Sequence, residues 1–347
     1  MRVTRQIVCF LCLTLLTSVS RSAPPELEAK LQELIQALQK NERLYPSLKV
    51  ELTRAHTDEQ AWLSIPGKER IERVAKISLV TQGKQFREQI REEGEYAVIS
   101  VGLGRPSAKE SNPNRIKTGT EIWTEVSNGK VCRILNESLF PAEKEPRTLN
   151  GQITDRVPPL PNLARPHMFL STGLNGDPLS VSLRGDDAAR ADQGSSSDKN
   201  REHPLIRVLD TVEYQGHPCI RVRRETSNVR REYWLAEDRN LIPVRILSFD
   251  DRGTEFLPSS EAVVEDWWEL QPGIWYPRRA TIKRFKTSRF RREEKPVLAW
   301  RMDFAVQSAE LNPKVETSLF SSLDFPPGTS VSVWEDGKQV RTYEQGK

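Results

Sequence analysis

Apolar residues near the beginning of the chain recur at the spacing of an amphipathic helix. Residues three and four apart lie on one face of a helix, so these side chains form a single apolar stripe. Glutamates stand in the first turn of this stretch, as is typical of a helix start. The pattern predicts one helix between residues 24 and 45 that packs on a sheet, with a partner-binding helix as the alternative. The apolar positions are Leu27, Leu31, Leu34, Ile35 and Leu38.

After this helix the apolar period changes to two, beginning with Leu48, Val50 and Leu52. Alternation of apolar and polar residues is typical of strands with one buried face. Asn128-Gly129 stands between two such runs and predicts a β-hairpin, because both residues tolerate positive φ. The sequence therefore predicts an α+β fold that is mainly antiparallel β, with about ten to eleven strands joined mostly by short turns.

The interval 136–204 interrupts this rhythm. It contains a proline-rich piece at 157–166 and, from 184 to 203, a polar run with almost no apolar residues. Such a run buries too little apolar surface to fold, so 184–203 is predicted to be disordered. We expect 136–204 to be a long insertion in one domain that spans 23–328. The chain after Ser308 is interpreted as an extended tail, with residues 329–347 as a C-terminal extension.

The first residues have the order of a secretory signal peptide, which is basic, then apolar, then small and polar. The apolar part runs from Ile7 to Leu16 and is too short for the roughly twenty residues that span a bilayer. Cleavage after Ser22 places Ser20 and Ser22 at the two small-residue positions. The pattern predicts that residues 1–22 are removed and that the protein is periplasmic or secreted.

Removal of the signal peptide changes the charge balance. Arg2, Arg5 and Arg21 are lost, so the 52 basic residues become 49 against 48 acidic ones, a net charge of +1. A charge this small exerts no general attraction on nucleic acid or on anionic membranes. We expect no nucleic-acid partner and peripheral or no membrane contact.

Two cysteines, Cys132 and Cys219, stand outside the predicted signal peptide, each in a predicted strand. An exported protein is in a compartment that permits disulfides. A disulfide between Cys132 and Cys219 and two separate buried thiols are both compatible with the sequence.

The sequence offers little material for catalysis. Its four histidines, His56, His167, His203 and His217, lie in four separate segments. It has no His-Glu-x-x-His, no Cys-x-x-Cys, no Gly-x-Ser-x-Gly and no glycine-rich phosphate loop. We predict a protein that is not an enzyme, with no catalytic residue, no metal site and no cofactor.

Tryptophans are concentrated in the predicted strands. Trp267 and Trp268 are adjacent, so they must point to opposite faces of their strand. Core and rim positions of a large sheet would account for these side chains, and an apolar ligand is the alternative. The candidates for ligand binding, chosen by strand position, are Trp123, Trp234, Trp267 and Trp300.

Three segments carry a resemblance to a known family. They are TGTEIWTEVSNGKVCRI at 118–134, YWLAEDRNLIPVRI at 233–246 and LNPKVETSLFSSLDFPPG at 311–328. Together with the order of signal peptide, helix and strand meander, they resemble the LolA-like and LppX-like periplasmic lipoprotein-carrier superfamily. The resemblance covers most of residues 26–328.

This resemblance implies an incomplete barrel or strongly bent sheet with the N-terminal helix packed on it. Such proteins hold acyl chains in an apolar concavity, so the expected function is a non-enzymatic cell-envelope binding protein that carries acyl chains or lipoproteins. The alternative is an envelope sensor or scaffold that binds a protein or peptide through the same sheet. The expected partner is a lipoprotein, a lipid acyl chain or an envelope protein, and the expected state is a monomer. A deep apolar concavity would favour the carrier, and a filled one the scaffold.

Overall fold

The computed structural model describes residues 25–59, 68–99, 114–143, 145, 147–171, 176–185, 204–251, 256–286 and 296–347. The predicted signal peptide and nearly all of the segment 184–203 lie outside these ranges. Within the described residues, the model contains no helix with the length and apolar character needed to cross a membrane.

The predicted N-terminal helix is present as α1, Pro25–Glu42. Its apolar stripe faces the sheet, and Leu34, Ile35 and Leu38 are all buried. Proline at the first helical position fits a helix start, because its missing N–H would have no partner there. The stripe therefore fixes which side of α1 packs inward.

In the described residues, fifteen strands form one sheet, in the order β15-β14-β6-β5-β4-β3-β2-β1-β13-β12-β11-β10-β9-β8-β7. The order has two ends, so the strands do not close into a barrel. Every pairing is antiparallel except that of β14 with β6, which is parallel. The first eight strands are Ser47–Glu59, Arg70–Gln82, Gln85–Ile99, Asn114–Ser127, Cys132–Leu139, Arg147–Thr154, Leu205–Tyr214 and His217–Glu225. Strands β9 to β15 are Val229–Ala236, Ile242–Asp251, Phe256–Gln271, Ile274–Phe285, Leu298–Leu311, Ser330–Glu335 and Lys338–Glu344.

The mainly antiparallel fold is confirmed, but the expected count of ten to eleven strands is wrong. Strand β6 lies inside the interval 136–204, where its polar sequence RTLNGQIT lacks a clear alternation of period two. Strands β14 and β15 lie in the predicted C-terminal extension, and β15 is almost wholly exposed, so its sequence carries no buried face to detect. The domain boundaries at 22 and 328 stay predictions.

Two of the hairpin turns contain a glycine with positive φ. Strands β4 and β5 are joined through Asn128-Gly129, where Gly129 has φ of 83°. Strands β7 and β8 are joined through Gln215 and Gly216, with φ of 53° and 79°. In the β7–β8 turn both central residues have positive φ, which matches the twist of the two strands, whereas in the β4–β5 turn only Gly129 does.

One hydrophobic core lies on the face of the sheet that carries Leu48, Val50 and Leu52, here called the inner face. It joins α1 to strands from β2 round to β8, so the sheet curves about the helix. The core also contains residues 162–171 and 176–185, here called the plug, which include a short helix α2, Leu179–Ser182. The buried apolar residues of the plug include Ala164, Met168, Phe169, Leu170, Leu179 and Leu183.

The plug explains the role of the interval 136–204 in the fold. Phe169 packs edge-on against Tyr276 and Phe304, with ring centroids 5.6 and 5.5 Å apart. The Tyr276 hydroxyl donates to the backbone oxygen of Leu163 at 2.6 Å. These contacts fill the centre of the inner face with the protein's own side chains.

The chain after β13 returns along the opposite face. Phe320 is fully buried, and Arg87 and Arg133 donate to the backbone oxygens of Ser322 and Ser321 at 3.2 and 3.0 Å. Docking of apolar residues of the tail on the body is therefore present, and β14 then extends the sheet beside β6.

Candidate functional site

An open groove runs between α1 and the last strands of the sheet. Its volume is about 620 Å³. One wall is a stripe of α1 residues three, four or seven apart, and the other is β7 at the point where its pairing with β8 shifts between Val208 and Thr211. The lining residues are Lys30, Glu33, Leu34, Ala37, Asn41, Val208, Leu209, Asp210, Thr211, Ile220, Glu237 and Leu241.

The groove has an apolar floor and a charged rim. Leu34, Ala37, Val208, Ile220 and Leu241 supply the floor, and Leu34 and Leu241 are buried. The rim carries charges of both signs, because Lys30 is basic and Glu33, Asp210 and Glu237 are acidic. An apolar floor with a few polar groups at its edge is the usual composition of a small-molecule site, and such sites hold about 300–1,000 Å³.

The rim is held partly by an ion pair. Arg221 of β8 donates to both carboxylate oxygens of Asp210, at 2.5 and 2.6 Å. These hydrogen bonds keep the pKa of Asp210 below its ordinary value. Asp210 therefore stays charged and exposed to solvent at the mouth of the groove.

A second cavity, of about 320 Å³, lies at the C-terminal end of α1. The Glu42 carboxylate accepts from the Ser180 backbone N–H at 3.0 Å and from the Ser180 hydroxyl at 2.5 Å. Burial nevertheless raises the pKa of Glu42. Arg165 also lines this cavity, and burial lowers the pKa of its guanidinium. The contacts with Ser180 attach α2 of the plug to α1.

His167 lines the same cavity and is buried. Its Nε2 lies 2.7 Å from the backbone oxygen of Asn240, and burial lowers its pKa to about 4. The imidazole is therefore neutral at pH 7 and donates to Asn240. Tyr45 donates to the backbone oxygen of Trp275 at 2.6 Å. These hydrogen bonds join the plug to the β9–β10 connection and the segment after α1 to β12, rather than converging on a reacting atom.

The four candidate tryptophans lie apart, and none lines the groove. Trp123 of β4 and Trp300 of β13 are both on the inner face, with four strand steps between them in the sheet order. Trp300 lies beside the His56 ring at 5.7 Å. Trp234 is on the outer face, under the guanidinium of Arg245 at 4.8 Å. Trp267 lies against His217 with ring centroids 5.9 Å apart. Ligand binding by these four residues stays a prediction.

The disulfide between Cys132 and Cys219 is not formed. Both thiols are free and buried. Cys132 is on β5 and Cys219 is on β8, and nine strands of the sheet lie between them. The Cys132 thiol instead contacts Glu125 Oε1 at 3.3 Å, and burial raises its pKa. Two separate buried thiols were the other reading of the sequence, and the structure has them.

Sequence reasoning found α1 but missed the groove beside it. The signal was present at Lys30, Glu33, Ala37 and Asn41, which form a second, more polar stripe next to the apolar one. The opposite wall depends on the shift in the pairing of β7 with β8, which cannot be predicted from a local sequence pattern. Among the residues that the structure describes, no three His, Cys, Asp or Glu side chains are grouped so that they could hold a metal ion.

The fold is of the mainly antiparallel β class, a single open sheet curved round one helix. No family model and no curated protein matches the chain. A DUF1329 family protein from Desulfovibrio piger is similar in structure, with a TM-score of 0.39, 12% identity, and coverage of 84% of this chain and 96% of that chain. An outer membrane lipoprotein-sorting protein domain from Vibrio parahaemolyticus has a TM-score of 0.41, 8% identity and the same two coverages.

Proposed function

We propose that this chain is a non-enzymatic binding protein of the cell envelope that holds one acyl chain in the groove between α1 and β7. The observation that carries the proposal is the groove itself, with its apolar floor and its charged rim. A lipid or lipoprotein fits this shape, because its chain is apolar and its other end is polar.

The dimensions suit one chain rather than several. Lys30 and Asn41 are eleven residues apart on α1, so the wall they bound is about 17 Å long at 1.5 Å per residue. Each methylene buried there contributes about 0.8 kcal/mol, so ten contribute about 8 kcal/mol before the costs of association.

The location is part of the proposal. The basic, apolar and small segments at residues 1–22 support export to the periplasm or beyond. A monomer is sufficient for this function, since the groove is bounded by elements of one chain.

An envelope sensor or scaffold is the second candidate, and the plug favours it. Met168, Phe169 and Leu179 occupy the centre of the inner face, where a carrier with a deep concavity would hold its ligand. On this alternative the groove and the β7 edge would receive a protein or peptide instead of a lipid.

Substitution of Ala37 by phenylalanine tests the carrier proposal. Ala37 lines the groove and is half-buried, so a phenyl group there would occupy the space of the acyl chain. We expect Ala37→Phe to weaken binding of a fluorescent fatty acid at least tenfold, measured by titration of residues 23–347. The matched control is Gln36→Phe, at an exposed position of α1 outside the groove, which should bind as the parent does.

Native mass spectrometry of the protein purified from its own envelope gives the complementary result. A stoichiometric acylated ligand that is absent from Ala37→Phe would support the carrier. A protein that is empty and takes up no fatty acid or lipopeptide would exclude it. Retention of a specific envelope protein by that empty chain would then support the scaffold.

A further inference from the structure

The inner face of β3 and β4 carries four glutamates arranged round one tryptophan, away from the groove. Glu88 lies directly opposite Glu125, and Glu92 lies directly opposite Glu121. Ile90 and Trp123 form the pair between them. Like charges directly opposite each other are destabilising, so two such pairs on one face require a reason.

The protein's own cations neutralise only one of the four. Glu92 pairs with Arg54 at 2.8 Å and lies 3.9 Å from Arg73. Arg73 also pairs with Asp58 at 2.6 Å. In the described part of the chain, no ion pair joins Glu88, Glu121 or Glu125 to a basic side chain. Arg54 and Arg73 act electrostatically on Glu88 and Glu121 without forming an ion pair with them. The four glutamates therefore outnumber the two arginines on this face.

Of Glu88, Glu121 and Glu125, Glu88 gives the clearest indication of a missing partner. Its side chain is on the inner face and only 9% of the residue is exposed, yet it makes no hydrogen bond to another described residue. Burial of a carboxylate without a hydrogen-bond partner is unfavourable for its charged form. Burial, helped by the charge of Glu125, raises the pKa of Glu88 to about 7.

Trp123 provides an aromatic ring beside the carboxylates, which are the first component of a cation site. It is 36% exposed, and its indole N–H donates to Glu125 Oε2 at 3.4 Å, so the indole lies beside the Glu125 carboxylate. The face of an indole attracts a cation within about 6 Å through its quadrupole. Aromatic rings recognise organic ammonium groups in this way, and nearby carboxylates add attraction for the same cation.

The spacing favours an organic cation over a metal ion. Glu88 and Glu92 are four residues apart on β3, or about 13 Å at 3.3 Å per residue. Metal ions need several oxygens within about 2.0–2.6 Å. An ammonium group carried on a small organic body can instead lie on the indole and reach the Glu88 and Glu125 pair.

We propose that Trp123, Glu88 and Glu125 bind an organic ammonium group on the inner face of β3 and β4, with Glu121 adding to the negative field. The site is separate from the acyl-chain groove and does not depend on the proposed carrier function. The ammonium group can belong to a free amine or to the head group of an aminophospholipid, since both present the same cation.

The first test follows the Trp123 indole N–H by NMR during titration with tetramethylammonium chloride. Trp123→Phe identifies the resonance by its loss. We expect a saturable shift with tetramethylammonium, and none with sodium chloride at equal ionic strength or with the neutral analogue tert-butanol. An equal response to tert-butanol, or no saturable response, would overturn the proposal.

Charge neutralisation separates binding from folding. Glu88→Gln keeps the shape of the side chain and should weaken tetramethylammonium binding at least fivefold. The matched control Glu93→Gln removes a charge from the outer face of the same strand, where Glu93 is exposed and pairs with Arg91 at 2.8 Å. It should leave binding unchanged, and equal weakening by both variants would show a general charge effect that contradicts the site.

Two further probes distinguish the sources of the ammonium group. Ethanolamine in solution tests a free amine, and sedimentation with phosphatidylethanolamine vesicles tests a lipid head group. Phosphatidylglycerol vesicles are the control for membrane contact without an amine. Binding to neither amine probe, in a protein that also ignores tetramethylammonium, would exclude the site.

Discussion

At the scale of single residues, Glu88 is unusual because it is a buried carboxyl group that lies directly opposite another glutamate, Glu125. Its carboxyl has a pKa raised from 4.5 to about 7 by burial and by Glu125. The folded protein therefore holds the Glu88 proton more tightly than the unfolded chain does. The resulting stability is complete below about pH 4.5 and is lost as the pH rises through 7.

Replacement of Glu88 by glutamine should remove this loss. The shift corresponds to about 3 kcal/mol at most, at 1.36 kcal/mol for each pKa unit. We expect Glu88→Gln to raise the free energy of unfolding relative to the parent more at pH 8 than at pH 5, in denaturant titrations at both pH values. The exposed Glu93→Gln variant should show no such difference. An equal effect of Glu88→Gln at the two pH values would contradict the raised pKa.

At the scale of elements, the attachment of the C-terminal hairpin depends on a close approach at β6. A Cβ at Gly151 would lie 2.8 Å from Phe325 Cε1 and 3.0 Å from Val331 Cγ2. Phe325 precedes β14, and Val331 within β14 is fully buried. Glycine at 151 thus permits the parallel pairing of β14 with β6.

A methyl group at this position should loosen the hairpin. We expect Gly151→Ala to lower the free energy of unfolding by about 1–3 kcal/mol, the usual effect of overpacking. It should also speed proteolytic cleavage within residues 326–347, followed by mass spectrometry. Asn150→Ala, at the exposed neighbouring position, is the control and should behave as the parent. Unchanged cleavage in Gly151→Ala would show that the neighbouring side chains move aside.

Element by element, the sequence predicted what local patterns determine. The stripe Leu34, Ile35 and Leu38 predicted α1, and Asn128-Gly129 predicted the β4–β5 hairpin, because spacing and turn chemistry act over a few residues. Strand β6 was missed because its polar sequence lacks a clear alternation of period two, and β14 was missed because it joins the sheet through a long-range parallel pairing with β6. The groove was missed because its walls are about 180 residues apart in the chain.

At the scale of the whole molecule, the plug decides how much of the inner face is available to a ligand. Phe169 is 3% exposed and touches Tyr276 and Phe304, so it links the plug to β12 and β13 at once. A buried aromatic side chain replaced by alanine usually lowers stability by about 3–5 kcal/mol. The plug therefore contributes to the stability of the body as well as occupying its centre.

Truncation of Phe169 tests this dual role. We expect Phe169→Ala to lower the free energy of unfolding by about 3–5 kcal/mol, measured with denaturant. Val340→Ala, at a position 53% exposed on β15, should change it by less than about 0.5 kcal/mol. A small effect at Phe169 would mean that the plug is only loosely seated and that the inner face opens easily.

The sheet order has a consequence for the way the chain is assembled. Apart from the β14–β6 contact, only the ladder between β1 and β13 joins strands that are not consecutive, and it pairs Leu48 with Leu311. The strands on each side of that ladder form two runs of local hairpins, β1 to β6 and β7 to β13. Because long-range pairing is slow, each run can form early and the ladder last. During synthesis the edge of β1 that pairs with β13 would thus stay unpaired until β13 has emerged, and that interval is when a chaperone would be needed most.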